Sequence, residues 1–182
     1  GWFLNVYIEI FRGTPMIVQS MVIFYGSAQA FNISLDRTWA AIFIVSINTG
    51  AYMSEIVRGG ILAVDPGQFE AATALGMTHG QTMRKVVLPQ VVRNILPATG
   101  NEFVINIKDT SVLNVISVVE LYFTGNTVAT QNYQYFPTFT IIAVIYFVLT
   151  FTITRILRYI ERRLDSDTYT TGANQMQVNE VK

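Results

Sequence analysis

Long stretches of the chain carry apolar side chains with almost no charge between them. Residues 13–35 contain no charged side chain, and the segments 38–57 and 136–157 contain one each, Glu55 and Arg155, both near the segment's end. A helix needs about 20 residues to cross the hydrocarbon core of a bilayer. Each of these three segments is therefore predicted to span a membrane.

A further apolar segment, residues 95–119, is interrupted by Glu102, Lys108 and Asp109. Charged groups in a span are tolerated where they face protein or a water-filled path. The pattern fits an interrupted span or a helix buried in a bundle, and we assign it as the third of four spans. The predicted fold class is an all-α membrane protein, with a transmembrane domain over residues 1–163.

The basic residues predict how the spans are oriented. On one predicted side lie Arg12, then Arg58, Arg84, Lys85 and Arg93, and then Arg155, Arg158, Arg162 and Arg163. In the loops on the opposite side, Arg37 is the only basic residue. Short loops rich in Lys and Arg stay in the cytoplasm, so both ends of the chain are predicted to be cytoplasmic. Residues 164–182 form a polar tail without a periodic apolar face, which predicts disorder.

The loop over residues 59–93 is too polar to span and contains clear helix signals. Asp65, Pro66 and Gln68 form a start signal, and Gly76 is a stop signal. Thr78 and Gln81 predict a second start, and Pro89 a second end. Two short capped helices would make a rigid cytoplasmic hairpin for a partner's groove. Packing of the hairpin against its own bundle is the alternative.

Composition supports the membrane interpretation and excludes other classes. The chain of 182 residues is 51% hydrophobic and 13% charged, with 12 basic and 12 acidic residues and no cysteine. No basic cluster with interleaved aromatic residues is present, so nucleic-acid binding is not indicated. Disulfides and thiolate metal sites are excluded.

The hairpin also contains a recognisable motif. Glu70, Ala71 and Ala72 are followed by Gly76 and then by Val86, Leu88 and Pro89. This pattern resembles the EAA motif of ABC importer permeases, with Val86 in place of the usual Ile. The resemblance implies the transmembrane domain of a type I ABC importer, in which the ATPase-coupling residues are Glu70, Ala71, Ala72, Gly76, Leu88 and Pro89.

The flanking residues resemble one branch of these permeases, the polar amino-acid uptake type that serves histidine and glutamine. The residues that carry this resemblance are Tyr7, Glu9, Phe11, Arg12, Gly13, Thr14, Pro15, Val18, Gln19, Gly50, Ala51, Tyr52, Glu55, Arg58, Gly59, Gly100, Asn101, Phe103, Lys108, Asp109, Thr110 and Ser111. Such permeases usually have five spans. The chain begins at Gly1 without a signal peptide, so we expect that a first span precedes it.

The resemblance also implies an assembly in a bacterial inner membrane. Two permease subunits, alike or different, would pair above two ATP-binding subunits, and an extracytoplasmic solute-binding protein would deliver an amino acid. ATP and Mg²⁺ would be bound by the ATPase. This chain lacks the Gly-x-x-x-x-Gly-Lys-Ser/Thr phosphate-binding motif, so it is not expected to be an enzyme or to hold a cofactor.

Polar residues within the predicted spans are candidates for the substrate path. They form two helical stripes, Asn48, Tyr52 and Glu55 in the second span and Glu102, Asn106 and Asp109 in the third. Because the two stripes contain three acids and only Lys108 lies among them as a base, they favour a substrate that is a positively charged amino acid. The alternative is that these residues have a structural role, with Glu55 paired to Arg58.

Two other functions fit the composition less well. An ion-coupled secondary amino-acid transporter would use the same acids as cation sites, but the inverted repeats of such transporters are not found. An intramembrane hydrolase would need a nucleophile, and Lys108 and Ser111 do not stand in a recognisable nucleophile motif.

Overall fold

The computed structural model describes residues 1–164 with their side chains and follows the backbone of the last helix to Glu180. Every regular element among these residues is helical, which confirms the all-α prediction. The elements are α1 (Trp2–Gly13), α2 (Met16–Phe31), α3 (Arg37–Leu62), α4 (Pro66–Ala74), α5 (His79–Thr82), a π-helical turn (Met83–Val87), α6 (Leu88–Asp109), a 3₁₀ segment (Thr110–Ile116), α7 (Leu121–Asn132) and α8 (Tyr135–Glu180). Of the predicted polar tail, residues 164–182, all but Leu164 lies outside the described side chains, and the disorder of the tail stays a prediction.

The chain forms two compact units, and the first comprises Gly1–Glu55 and Glu102–Thr152. Its apolar core joins the start of α3 to the 3₁₀ segment through Ala40, Ala41, Ile44, Leu113 and Ile116. Alanines let two backbones approach closely, which is how helices associate where no water drives them together. The core therefore fixes the 3₁₀ segment, directly after α6, against α3.

The second unit comprises Ile56–Asn101 and the chain from Ile153 onward. Val64, Val87 and Val91 form its buried core, with Phe69 packed against them. Val64 and Phe69 belong to the first arm of the 59–93 hairpin, Val87 to the π-helical turn and Val91 to the start of α6. The two arms of the hairpin thus share an apolar core.

The second arm of the hairpin does not end at Pro89, so that prediction is wrong. Helix α6 runs through Pro89 to Asp109. Directly before it, the backbone N–H of Leu88 donates to the carbonyl of Met83, an i to i−5 bond in place of i to i−4. The hydrogen-bond pattern of the helix therefore changes register at this π turn. Pro89, which has no backbone N–H to donate, lies directly after the turn, where the pattern is already interrupted.

The helices agree with the predicted spans in part. α3 and α8 are long and apolar enough to cross a membrane, and a third crossing results if the stretch His79–Ile116 and α7 count as one bent span. α2 covers most of the predicted first span but has only 16 residues, about 24 Å of helix against a core of about 30 Å. The number of four spans stays a prediction.

Candidate functional site

The hairpin begins with a capped helix. The Asp65 carboxylate accepts a hydrogen bond from the backbone N–H of Gly67 at 2.6 Å, and Pro66 occupies the first helical position of α4. This confirms the predicted start at Asp65 and Pro66. Gln68 was predicted to belong to the same cap, but its Oε1 instead accepts from Gln90 Nε2 in the other arm of the hairpin, at 3.4 Å. A cap and a link across the hairpin thus fix the position of α4.

A left-handed turn at Gly76 ends α4. Gly76 has φ of +73°, a conformation that costs a side-chain-bearing residue roughly 1 kcal/mol or more. Its N–H donates to the carbonyl of Thr73 and that of Met77 to the carbonyl of Ala72, the two bonds of a Schellman motif. The predicted stop at Gly76 is confirmed.

A complete capping box starts the second helix. The N–H of Gln81 donates to Thr78 Oγ1 at 3.4 Å, and the N–H of Thr78 donates to Gln81 Oε1 at 2.9 Å. Both residues were predicted for these roles. The turn from Gly76 to Thr78 therefore joins two ends whose backbone groups are satisfied locally.

Some side chains of the hairpin are buried in its core and others are exposed. Ala72 is buried and Phe69 packs on the core, whereas Glu70 and Ala71 are exposed. Leu75, at the tip, is 81% exposed. In the second arm Leu88 and Pro89 are exposed as well. The hairpin is anchored through one face and offers a carboxylate and apolar side chains on the other.

Within the first unit, Asn48 lies in a buried network of amides. Asn48 Nδ2 donates to Gln19 Oε1 at 3.0 Å, and Gln19 Nε2 donates to the carbonyls of Phe11 and Thr14, each at 2.9 Å. Those carbonyls lie where Pro15 separates α1 from α2. A break in a helix frees backbone groups, which must find partners when water is absent. The network therefore provides hydrogen-bond donors for the backbone carbonyls that the break between α1 and α2 leaves free.

Glu55 and Tyr52 also face α1. Arg12 Nη1 lies 3.3 Å from Glu55 Oε2, and its guanidinium carbon lies 5.6 Å from the centre of the Tyr52 ring. The sequence suggested Arg58 as a structural partner of Glu55, and the structure shows Arg12 as a partner that the sequence did not predict. The predicted stripe Asn48, Tyr52 and Glu55 is thus held by α1 and α2.

The second stripe lies on α6. Glu102 is buried, Asn106 and Asp109 are half-buried, and Lys108 is exposed. α3 meets this stripe through a residue that sequence reasoning missed, Thr49, whose hydroxyl donates to Asn106 Oδ1 at 3.2 Å. Among the described residues, no group of three or more His, Cys, Asp or Glu side chains is placed to hold a metal ion.

Residues 1–166 match the family described as the inner membrane component of binding-protein-dependent transport systems. The chain belongs to this family. It is a permease subunit of an ABC importer, a transport component embedded in the membrane, and ATP hydrolysis belongs to a separate subunit. This confirms the predictions of fold family, function class and non-enzymatic role.

Curated relatives of the permease serve amino acids. It is 41% identical over 169 residues to a glutamine transport system permease protein of Escherichia coli, covering 90% of this chain and 77% of the relative. It is 37% identical over 166 residues to an arginine transport system permease protein of Bacillus subtilis, covering 91% and 76%. An L-cystine transport system permease protein of the same species is 41% identical, with coverage of 90% and 70%.

Two solved structures share the permease fold. A crystal structure of an amino acid ABC transporter with histidines matches at a TM-score of 0.83 and 45% identity, covering 87% of this chain and 74% of that one. An inward-facing methionine ABC transporter matches at a TM-score of 0.74, with coverage of 88% and 73%. Its identity of 20% supports the fold alone.

Glu120 is a further polar residue of the permease that sequence reasoning missed. Its carboxylate accepts from the backbone N–H groups of Tyr122 and Phe123 at 2.7 and 2.6 Å, which caps α7, and from the Tyr146 hydroxyl at 3.1 Å. The signal was present, because an acid directly before an apolar helix is a common start signal.

Proposed function

We propose that this permease imports a polar amino acid and that its 59–93 hairpin docks the ATPase subunit. The exposed side of the first arm supports the docking proposal, because Glu70 and Leu75 are exposed there while Phe69 packs on the core and Ala72 is buried. A rigid, capped hairpin with free apolar and acidic side chains suits a groove in a partner. The glutamine, arginine and L-cystine relatives support the substrate class.

The docking proposal is tested by charge reversal and by a change at the turn. Glu70→Lys removes the exposed carboxylate, and Gly76→Asp places a side chain at a positive φ. We expect both variants to reach the membrane in normal amount and to lose substrate-stimulated ATP hydrolysis in the reconstituted transporter. Glu9→Lys, an exposed acid on α1, is the matched control. Normal stimulation in both hairpin variants would contradict docking.

For the substrate, we propose a polar amino acid with a preference for a positive charge. Glu55 lies beside Arg12, so the negative charge available to a substrate rests on Glu102 and Asp109. These acids lie on one face of α6, and Lys108 is the exposed base beside them. A buried carboxylate is costly unless paired, and a cationic side chain in transit would supply that partner.

Uptake by proteoliposomes across arginine, lysine, histidine, glutamine and glutamate tests the preference. We expect Glu102→Gln to reduce uptake of the cationic amino acids at least tenfold and to leave glutamine uptake within about twofold, because it removes charge with little change of shape. Glu55→Gln is the control. If Glu102→Gln left the uptake of cationic amino acids unchanged, the proposed preference for a positive charge would be contradicted, while the proposal that the substrate is an amino acid would stand. ATP-independent uptake driven by an ion gradient would instead support a secondary transporter.

The finer assembly belongs to the same proposal. We assign a pair of ATP-binding subunits that bind ATP and Mg²⁺, a second permease subunit, alike or different, and an extracytoplasmic binding protein, in a bacterial inner membrane with a cytoplasmic C-terminus. The family description, with its binding protein and inner membrane, supports this. Co-purification identifies the partners.

The absence of cysteine makes the orientation directly testable. Introduced singly, Thr38→Cys should react with a membrane-impermeant thiol reagent from outside the cell, and Gly80→Cys only after the membrane is opened. The reverse pattern would contradict the orientation.

A further inference from the structure

Large aromatic side chains are exposed where α3 and α8 begin. Trp39, near the start of α3, is 72% exposed, and Phe136, near the start of α8, is 84% exposed. Phe31, the last residue of α2, and Tyr133, directly after α7, are 74% and 82% exposed. Aromatic rings of this size are unfavourable in water, so they mark a contact with something outside the chain.

The starts of α3 and α8 lie on the same side of the membrane. α3 crosses once, and the bent pair of His79–Ile116 and α7, counted as one span, crosses back. A short turn then reverses the chain, because α7 packs antiparallel to α8. Glu120, which caps α7, accepts from the Tyr146 hydroxyl, and further along α7 a Cβ on Gly125 would overlap Ile142.

The charge-free stretches of the two spans place these aromatic groups at one edge of the hydrocarbon core. In α8, residues 136–154 contain no charged side chain and make about 28 Å of helix. The core is about 30 Å thick, so Phe136 falls at its edge. In α3, the charge-free residues 38–54 make about 25 Å of helix and begin one residue before Trp39. Each span therefore ends in an aromatic side chain at this edge.

The aromatic residues also end apolar faces that continue along the spans. Ile42 and Phe43 follow Trp39 and are exposed. The most apolar stretch of α8, below Phe136, is only 6% buried inside the protein. Among the described residues, the indole N–H of Trp39 and the hydroxyl of Tyr133 form no hydrogen bond. Their polar ends are available to a polar medium and their rings to an apolar one.

We propose that Phe31, Trp39, Tyr133 and Phe136 lie in the headgroup layer of one leaflet and anchor the starts of α3 and α8 at that depth. The boundary of a bilayer offers an apolar medium to the rings and hydrogen-bond partners to the indole N–H and the hydroxyl. A soluble partner does not reach the apolar faces that continue along the spans, whereas lipid covers the whole of each face.

Tryptophan fluorescence measures the depth, because the chain has two tryptophans, Trp2 and Trp39. The complete transporter is reconstituted in phosphatidylcholine brominated at a shallow or a deep position of the acyl chain. The difference in emission between wild type and Trp39→Phe isolates Trp39. We expect shallow bromine to quench this difference about twice as strongly as deep bromine. In the Trp39→Phe background, Phe136→Trp should show the same preference, and Phe147→Trp, near the middle of the charge-free stretch, the opposite one.

Stronger quenching of Trp39 by deep bromine would overturn the placement. So would the loss of all quenching by lipid, since water or a protein would then surround the ring.

A second measurement tests the anchoring. Thr140→Cys lies one turn below Phe136 on the same exposed face, in a chain without native cysteine. With Tyr133→Ser/Phe136→Ser, we expect this cysteine to react several-fold faster with a membrane-impermeant thiol reagent, because the start of α8 is no longer held at the headgroups. Tyr133→Trp/Phe136→Trp should keep the original rate. An unchanged rate with the serine substitutions would contradict the anchoring.

Discussion

Arg12 and Glu55 join the end of α1 to α3 across 3.3 Å, and Arg12 lies over Tyr52 on the same face. With side chains 43% and 24% exposed, such a pair contributes about 0.5 to 1 kcal/mol. We expect Arg12→Gln and Glu55→Gln to lower the unfolding temperature of the purified transporter separately, and the double variant to lose less than their sum. Strict additivity would show that the pair is not coupled.

The same pair predicts the outcome of a transport measurement. Because Glu55 is bound to Arg12, Glu55→Gln should leave the substrate concentration for half-maximal uptake within about twofold of wild type. A large rise in that concentration would mean that Glu55 contacts the substrate.

The amide network at the break between α1 and α2 predicts a larger loss of stability. Gln19→Leu removes the side chain that binds the Phe11 and Thr14 carbonyls and Asn48, although Asn48 Nδ2 still donates to the Phe11 carbonyl at 3.3 Å. Each buried group left without a partner costs about 1 to 3 kcal/mol. Unfolding of the detergent-solubilised transporter measures the loss. Gln29→Leu, an exposed change of the same kind on α2, should cost little. Equal losses would show that the network is not stabilising.

The turn at Gly76 predicts a change confined to coupling. Gly76→Ala should cost about 1 kcal/mol in the stability of the hairpin, because alanine resists a positive φ, and should reduce transport-coupled ATP hydrolysis. Gly80→Ala lies within α5, where a Cβ meets no atom within 4 Å, and should leave both quantities near wild type. Reduced hydrolysis in Gly80→Ala alone would contradict the role of the turn.

The base of the hairpin predicts a steric clash. A Cβ on Gly60 would overlap Cγ2 of Ile95, whereas a Cβ on Gly59 would have no atom within 4 Å. Gly60→Ala should destabilise the second unit by about 1 to 3 kcal/mol, and Gly59→Ala should not. Limited proteolysis of the hairpin measures the difference. Adding Ile95→Ala to Gly60→Ala should restore part of the resistance, and no restoration would rule out the overlap.

The sequence by itself determined the features that depend on neighbouring residues. The all-helical character, the cap at Asp65, the stop at Gly76 and the capping box of Thr78 and Gln81 follow from apolar periodicity, helix-end hydrogen bonds and turn stereochemistry. Each of these acts over a few residues, so a short window of sequence contains its cause.

Tertiary structure decided the pairing of the polar groups and the path of the backbone past Pro89. Asn48 binds Gln19, 29 residues away, and Glu55 binds Arg12, 43 residues before it in the chain. Which side chains meet depends on how whole helices pack, and spacing within one helix cannot reveal it. The π turn before Pro89 likewise absorbs a missing donor through a change of register that local propensity does not predict.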